Sequence, residues 1–159
     1  MSSDFHIKLD GVSGESTHKN HKDEIEILSW SWGVVNASGS GSGGGSGKGK
    51  ATPQELTFMH KYDKASPVLA QKCADGKHFK DLVLTCRKSG DGQQEFLKVS
   101  LKEVFISTVQ INGSQGGDLL EAVSVSFKDI ETAYKPQDDK GAGKGEVKFG
   151  WNIAATEVR

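Results

Sequence analysis

Apolar residues in this chain alternate with polar ones at a period of two, and three times the alternation slips by one residue without a break in the run. Ile25 and Ile27 share one face, after which Leu28, Trp30, Trp32 and Val34 share the other. Leu97, Val99 and Leu101 give way to Val104 and Ile106, and Val123, Val125 and Phe127 give way to Ile130, Thr132 and Tyr134. Period-two alternation is the mark of a half-buried strand. A one-residue slip inside it is what a β-bulge produces, and bulges bend strands so that sheets can close. Three slips therefore point to a mainly β chain folded as a compact, curved β-barrel rather than a flat sheet.

Further strands are expected at Phe5, Ile7 and Leu9, at Leu56 to His60, at Leu82 to Cys86 and at Val147, Phe149, Trp151 and Ile153. The turn Ser89-Gly90-Asp91-Gly92 joins two of them as a hairpin, and Asp138-Asp139-Lys140-Gly141 precedes the last strand. One short α-helix is expected over residues 67–75. Ser66 stands as its cap, Pro67 suits the first helical position and Gly76 supplies a left-handed stop. Such a helix would plug one open face of the barrel. The stretch 36–50 is a long loop of Gly and Ser, a composition that does not order on its own. With 159 residues the whole chain, 1–159, reads as a single domain.

Composition narrows the function. The formal net charge is −1, so no single-sign field is available to hold nucleic acid or an acidic membrane surface. No apolar run nears the ~18 residues that span a bilayer, and the amino terminus has no basic-then-apolar leader. The expectation is a protein made in the cytosol that leaves, if it leaves, by a route reading no N-terminal signal. Cys73 and Cys86 lack CxxC spacing and sit among apolar neighbours, as small buried thiols.

Catalytic and ligand motifs fail one by one. Gly44 and Gly49-Lys50 have P-loop spacing, but Ala51 stands where a hydroxyl must reach magnesium, and a strand follows instead of a helix. His18 and His21, with Asp23 and Glu24, match no closed zinc pattern and read as a solvated turn; His60 and His78 read as ordinary strand or loop residues. No GxSxG elbow, activated cysteine or catalytic carboxylate pair is present. No enzyme, metal or cofactor is expected. What remains is apolar surface: on Val104 to Ile111 both faces carry apolar residues, Val104 and Ile106 on one, Phe105, Val109 and Ile111 on the other. Either the helix or another strand covers the second face, or a neighbouring subunit does.

Ser29-Trp30-Ser31-Trp32-Gly33, preceded by Gly14-Glu15-Ser16 and His21-Lys22-Asp23-Glu24-Ile25, resembles the haemolysin-coregulated proteins (Hcp) of the bacterial type VI secretion system. The likeness continues through Lys64-Ala65-Ser66-Pro67, Gly76-Lys77-His78, Tyr134-Lys135-Pro136-Gln137 and Phe149-Gly150-Trp151-Asn152-Ile153, and so spans essentially the whole chain in order. The resemblance implies a phage tail-tube-like barrel assembled as a homohexamer. Its stacked rings would form an inner tube with a spike protein at the tip, driven by a contractile sheath. They would hold small effector proteins in the lumen and be secreted to the exterior without a signal peptide. Ending at Arg159, just past the last strand, the chain is expected to carry no fused toxin domain.

Under that reading residues take roles. Alternation turns Trp30 and Trp32 inward to the core, with Phe149 and Trp151, and turns Ser29 and Ser31 toward the lumen as small, weakly adhesive residues. Ring closure is heterologous, and Val104, Phe105, Val109 and Ile111 are candidates for one side of the contact. Gly39, Gly41, Gly43, Gly44, Gly45, Gly47 and Lys48 form the candidate ring-stacking loop. The alternative is a monomeric β-barrel that binds a small ligand or carbohydrate on its aromatic residues.

Overall fold

The computed structural model describes residues 3–37, 50–88, 94–136 and 145–159. In chain order the elements are β1 (Ser3–Leu9), β2 (Ile25–Ile27), β3 (Ser29–Ser31), β4 (Val34–Asn36), β5 (Ala51–Pro53), β6 (Leu56–Lys61) and α1 (Ser66–Asp75). They continue with β7 (Phe79–Lys88), β8 (Glu95–Asn112), β9 (Leu120–Ser126), β10 (Asp129–Tyr134), β11 (Val147–Asn152) and β12 (Glu157–Val158). The expected hairpin turn at residues 89–92 and the turn at 138–141 lie outside the described residues.

All pairings are antiparallel, and β8 belongs to two of the sheet's faces. Its first half lies between β7 and β10, and its second half pairs with β9. From there the ladder runs one way through β7 and β1 to β2, and the other way through β9 and β6 to β3. Since β2 and β3 are separated by Leu28 alone, the ladder begins and ends on one chain segment, and the sheet curls into a barrel. Leu28 N–H donates to the Met59 carbonyl (2.8 Å), fastening that seam.

The three slips in alternation are the three places where the chain turns from one face of the barrel to the other. At the first, Leu28 and Ser29 both point outward between buried Ile27 and half-buried Trp30. At the second, Lys102 and Glu103 both point outward between Leu101 and Val104, which are completely buried. Glu103 takes a left-handed conformation there (φ 54°), which side chains ordinarily avoid, while the ladder with β7 keeps its register across the corner, Asp81 opposite Lys102 and Phe79 opposite Val104. At the third, the expected bent strand is two strands: β9 pairs with β6, whereas β10 pairs with β11. Lys128 N–H, between them, donates to the Lys102 carbonyl (3.0 Å), so the second and third corners lie side by side.

Two expectations change at the first corner. Leu28 is 50% exposed because it is the extra residue of the turn. Val34, 44% exposed, belongs to a separate two-stranded ribbon in which β4 pairs only with β5; all three β4 residues are exposed, and the ribbon touches the core through half-buried Ala51 of β5.

The helix spans Ser66–Asp75 and ends, as expected, on Gly76 in the left-handed region (φ 71°), whose N–H reaches the Lys72 carbonyl. Its start differs. Ala65 occupies the cap position without a side-chain bond, and Ser66 lies inside the helix, fully buried. The preceding turn closes on itself instead: Asp63 N–H donates to Ser66 Oγ (3.1 Å) and Ala65 N–H to the Asp63 carboxylate (2.9 Å). The helix buries Leu69 and lies against β8. Among the described residues no helix is long and apolar enough to cross a membrane.

Candidate interaction surfaces

Alternation along β3 places Ser29 and Ser31 on the exposed face and Trp30 on the inner one, as the sequence implies. Trp30 meets Phe5 edge-on (6.3 Å between ring centroids), and Trp32 packs near Phe127 (6.4 Å) and Phe149 (6.5 Å). Trp151 is buried, while Trp30, Trp32 and Phe149 are half-buried against the core.

Registers carry that outer face across four strands. Ser31 pairs with Thr57, Thr57 with Ser124 and Ser124 with Thr108; in the next row Ser29 pairs with Met59, Met59 with Ala122 and Ala122 with Gln110. Directly paired residues project to the same side of a sheet. The result is a continuous wall of small or uncharged side chains, with Thr57 and Ser124 joined by a hydroxyl bond of 2.9 Å. Reading the sequence strand by strand found Ser29 and Ser31 but missed the rest of the wall. Their shared face is defined by register, which one strand's pattern does not hold.

The two-sided apolar reading of Val104 to Ile111 does not survive. A register shift between Ile106 and Thr108 inserts a further bulge, after which Val109 pairs with Val123 and Ile111 with Glu121, both on the inner side. Val104 is completely buried and has no surface to offer a neighbour. Phe105 alone takes the opposite face, half-buried, with the His78 ring 5.4 Å away. Val109 is partly buried against the core, and Ile111, 51% exposed, lies where the strand outruns it.

Gly39, Gly41, Gly43, Gly44, Gly45, Gly47 and Lys48 lie outside the described residues. The residues flanking them are paired as a ribbon, with Val34 opposite Pro53, Val35 opposite Thr52 and Asn36 opposite Ala51.

Two polar clusters were misread from sequence. His60 is no ordinary strand residue: its ring and the Glu121 carboxylate are both completely buried, bonded at 2.7 Å. The signal was available, because His60 continues the inward face of Leu56 and Phe58, and Glu121 that of Val123 and Val125. Nor is His21 in a solvated turn. It is 5% exposed and bonded to Glu24 (2.9 Å) and Glu95 (3.0 Å). Among the described residues no group of three or more His, Cys, Asp or Glu side chains could hold a metal ion. Cys86 is buried, which pushes its thiol up to about 12 and leaves it inert; Cys73 is half-buried, and both are unbridged.

Comparison with known proteins agrees with this architecture. Residues 6–134 match the family described as type VI secretion system effector, Hcp. The protein hcp1 of Pseudomonas aeruginosa is 47% identical over 156 residues, covering 96% of each chain. A solved structure of a type six secretion system protein superposes with a TM-score of 0.93 at 31% identity, covering 99% of this chain and all of the other. The crystal structure of Hcp1 from Salmonella typhimurium gives 0.82 at 31% identity over the full length of both. A match across most of the chain, in sequence and in fold, places this protein in the Hcp family of type VI secretion system proteins.

Proposed function

We propose that the chain, acting as one domain over residues 1–159, is an inner-tube protomer that closes into homohexameric rings. In this reading the rings stack, are exported from the bacterial cytoplasm without a signal peptide, and carry small effector proteins in their lumen. The spike protein and contractile sheath of the same system are the other partners. As an Hcp family member the protein is structural and secreted rather than an enzyme. The observation that carries the lumen role is the pair of uncharged rows on the outer face of β3, β6, β9 and the second half of β8, beyond which Lys61 opens the next row. A conduit for varied cargo is best served by side chains that neither bind tightly nor repel. Native mass spectrometry tests the assembly: a six-copy species supports it, and a monomer at micromolar concentration sinks it.

Two variants divide the roles. Ser31 is exposed at the wall's edge, so Ser31→Glu and Ser31→Gln should leave the unfolding midpoint unchanged. Six copies of a carboxylate facing a cargo that must desolvate it should lower effector co-purification about tenfold for Glu, equivalent to ~1.4 kcal/mol, and less for Gln. Unchanged retention by both variants argues against the lumen assignment. Ring closure is assigned to surfaces that include exposed Ile111, and stacking to the Gly/Ser loop carried by the β4–β5 ribbon. Deleting Ser38 to Lys48 should therefore spare the hexamer by native mass and reduce tube formation, seen by electron microscopy, on the order of tenfold if the loop supplies one weak contact per subunit. Loss of the hexamer itself would overturn that division.

A further inference from the structure

Outside the wall and the ribbon, one cluster stands unused by the tube role. His6 of β1 and His21 are 4% and 5% exposed, and their rings stack with centroids 4.6 Å apart and planes 7° from parallel. His18 packs against both, 5.6 Å from each. The three rings help to hold the Asp10–Glu24 segment on the barrel, beside the bonds from Asp10 N–H to the Asp81 carbonyl (3.1 Å) and from Lys64 N–H to the Glu15 carboxylate (2.7 Å). That segment has its own backbone ties, Gly14 N–H to the Asp23 carbonyl (2.7 Å) and Ser16 N–H to the Glu24 carbonyl (3.0 Å). Beyond the rings, His21 Nε2 bonds the Glu95 carboxylate, 74 residues away at the start of β8.

The charges around the stack are uneven. His21 is flanked by the Glu24 and Glu95 carboxylates. A proton on His6 meets little compensation. Its own strand offers Asp4 and Lys8, but Asp4 lies 3.4 Å from the buried Arg87 guanidinium and is shared with it. The register partners of His6 are Thr85 on β7, uncharged, and Glu26 on β2, exposed to solvent. Its Nδ1 is buried with no hydrogen-bond partner among the described residues.

We propose that the His6–His18–His21 stack is an acid-sensitive latch, which holds the Asp10–Glu24 segment on the barrel while His6 is neutral and releases it when His6 takes a proton. The direction follows from linkage. Burial first, then His21, His18 and Arg87, lower the His6 pKa to about 4 against an ordinary value of 6.5, with Asp4 opposing. The released form thus binds more protons than the latched one below about pH 6.5, and latching is fully present above that value and lost progressively toward pH 4.

Hydrogen–deuterium exchange of the full chain, corrected for intrinsic rates, reads the opening directly. Between pH 7.5 and 4.5, protection of residues 10–24 should fall roughly 50-fold, while β7 and the middle of β8 keep theirs. His6→Phe keeps a flat ring in the stack and cannot take a proton, so it should abolish the fall. His18→Gln removes a ring that is only half-buried, tests the idea should the first variant fold poorly, and should reduce the fall severalfold. The latch is refuted by wild-type protection that does not change, by an undiminished fall in the folded variants, or by equal loss in every strand, which is global acid unfolding.

Discussion

Glu121→Ala should cost about 3–5 kcal/mol of unfolding free energy, the usual penalty for removing one member of a buried pair. Its partner His60 is completely buried on β6, directly opposite in register, and bonds it at 2.7 Å. With the carboxylate gone, His60 Nε2 loses its bond, the Asp63 carboxylate standing 3.9 Å from the other nitrogen, Nδ1, and a buried group that loses its bond keeps its full desolvation penalty. Glu121→Gln retains an acceptor and should lose less. The double variant His60→Leu with Glu121→Leu should recover most of the loss, because two apolar side chains need no partners in that environment. Guanidinium unfolding at one fixed protein concentration measures all three, and fixing the concentration matters for a protein that assembles. A Glu121→Ala loss below about 1 kcal/mol would show that water or a relaxed ring satisfies His60, and the pair would then be incidental to the core.

That pair also marks how far the sequence was legible. Strand positions followed from period two, and the inward set followed with them, because each strand buries one face. The three phase slips carried more than curvature: they lie at the corners where the chain changes face, at Leu28, at Glu103 and between β9 and β10. Four features were not legible, for three separate reasons. The bulge between Ile106 and Thr108 reversed the reading of Val109 and Ile111, since Val, Phe and Ile at consecutive positions leave the phase undefined. The β4–β5 ribbon was hidden because its strands are three residues each, too short to show a period, and β4 is exposed throughout. The uncharged wall depends on the registers of four strands, and register between segments as distant as Ser31, Thr57, Ser124 and Thr108 is a tertiary property. The histidine stack fails for the same reason, since His6 and His21 meet only through the fold.

Deleting Glu103 should abolish folding, whereas Glu103→Gly should leave stability within about 1 kcal/mol of wild type. The contrast isolates the count of residues at the corner from their chemistry. Glu103 is exposed and left-handed (φ 54°), so its side chain buries nothing. Glycine adopts that conformation without strain, and the strain relieved offsets the added freedom of the unfolded chain. Removing the residue is different in kind, because a one-residue slip sends every later side chain to the opposite face. Val104 and Ile106, both completely buried, would turn to solvent, and Phe105 and Ser107 would turn into the core. Exposing two such side chains costs about 3–6 kcal/mol at the usual 1.5–3 per residue. The ladders would also fall out of step: β8 pairs one-to-one with β7 across Glu103, so a residue removed there displaces the pairs from Phe105–Ser126 to Asn112–Leu120 together. Against the roughly 5–15 kcal/mol that holds a typical domain together, the combined loss exceeds what the fold can absorb. Soluble yield, far-UV circular dichroism and a cooperative guanidinium transition separate the outcomes. A deletion variant that unfolds cooperatively near the wild-type midpoint would mean the corner is a flexible hinge, and the phase slips would then report composition rather than the path of the chain.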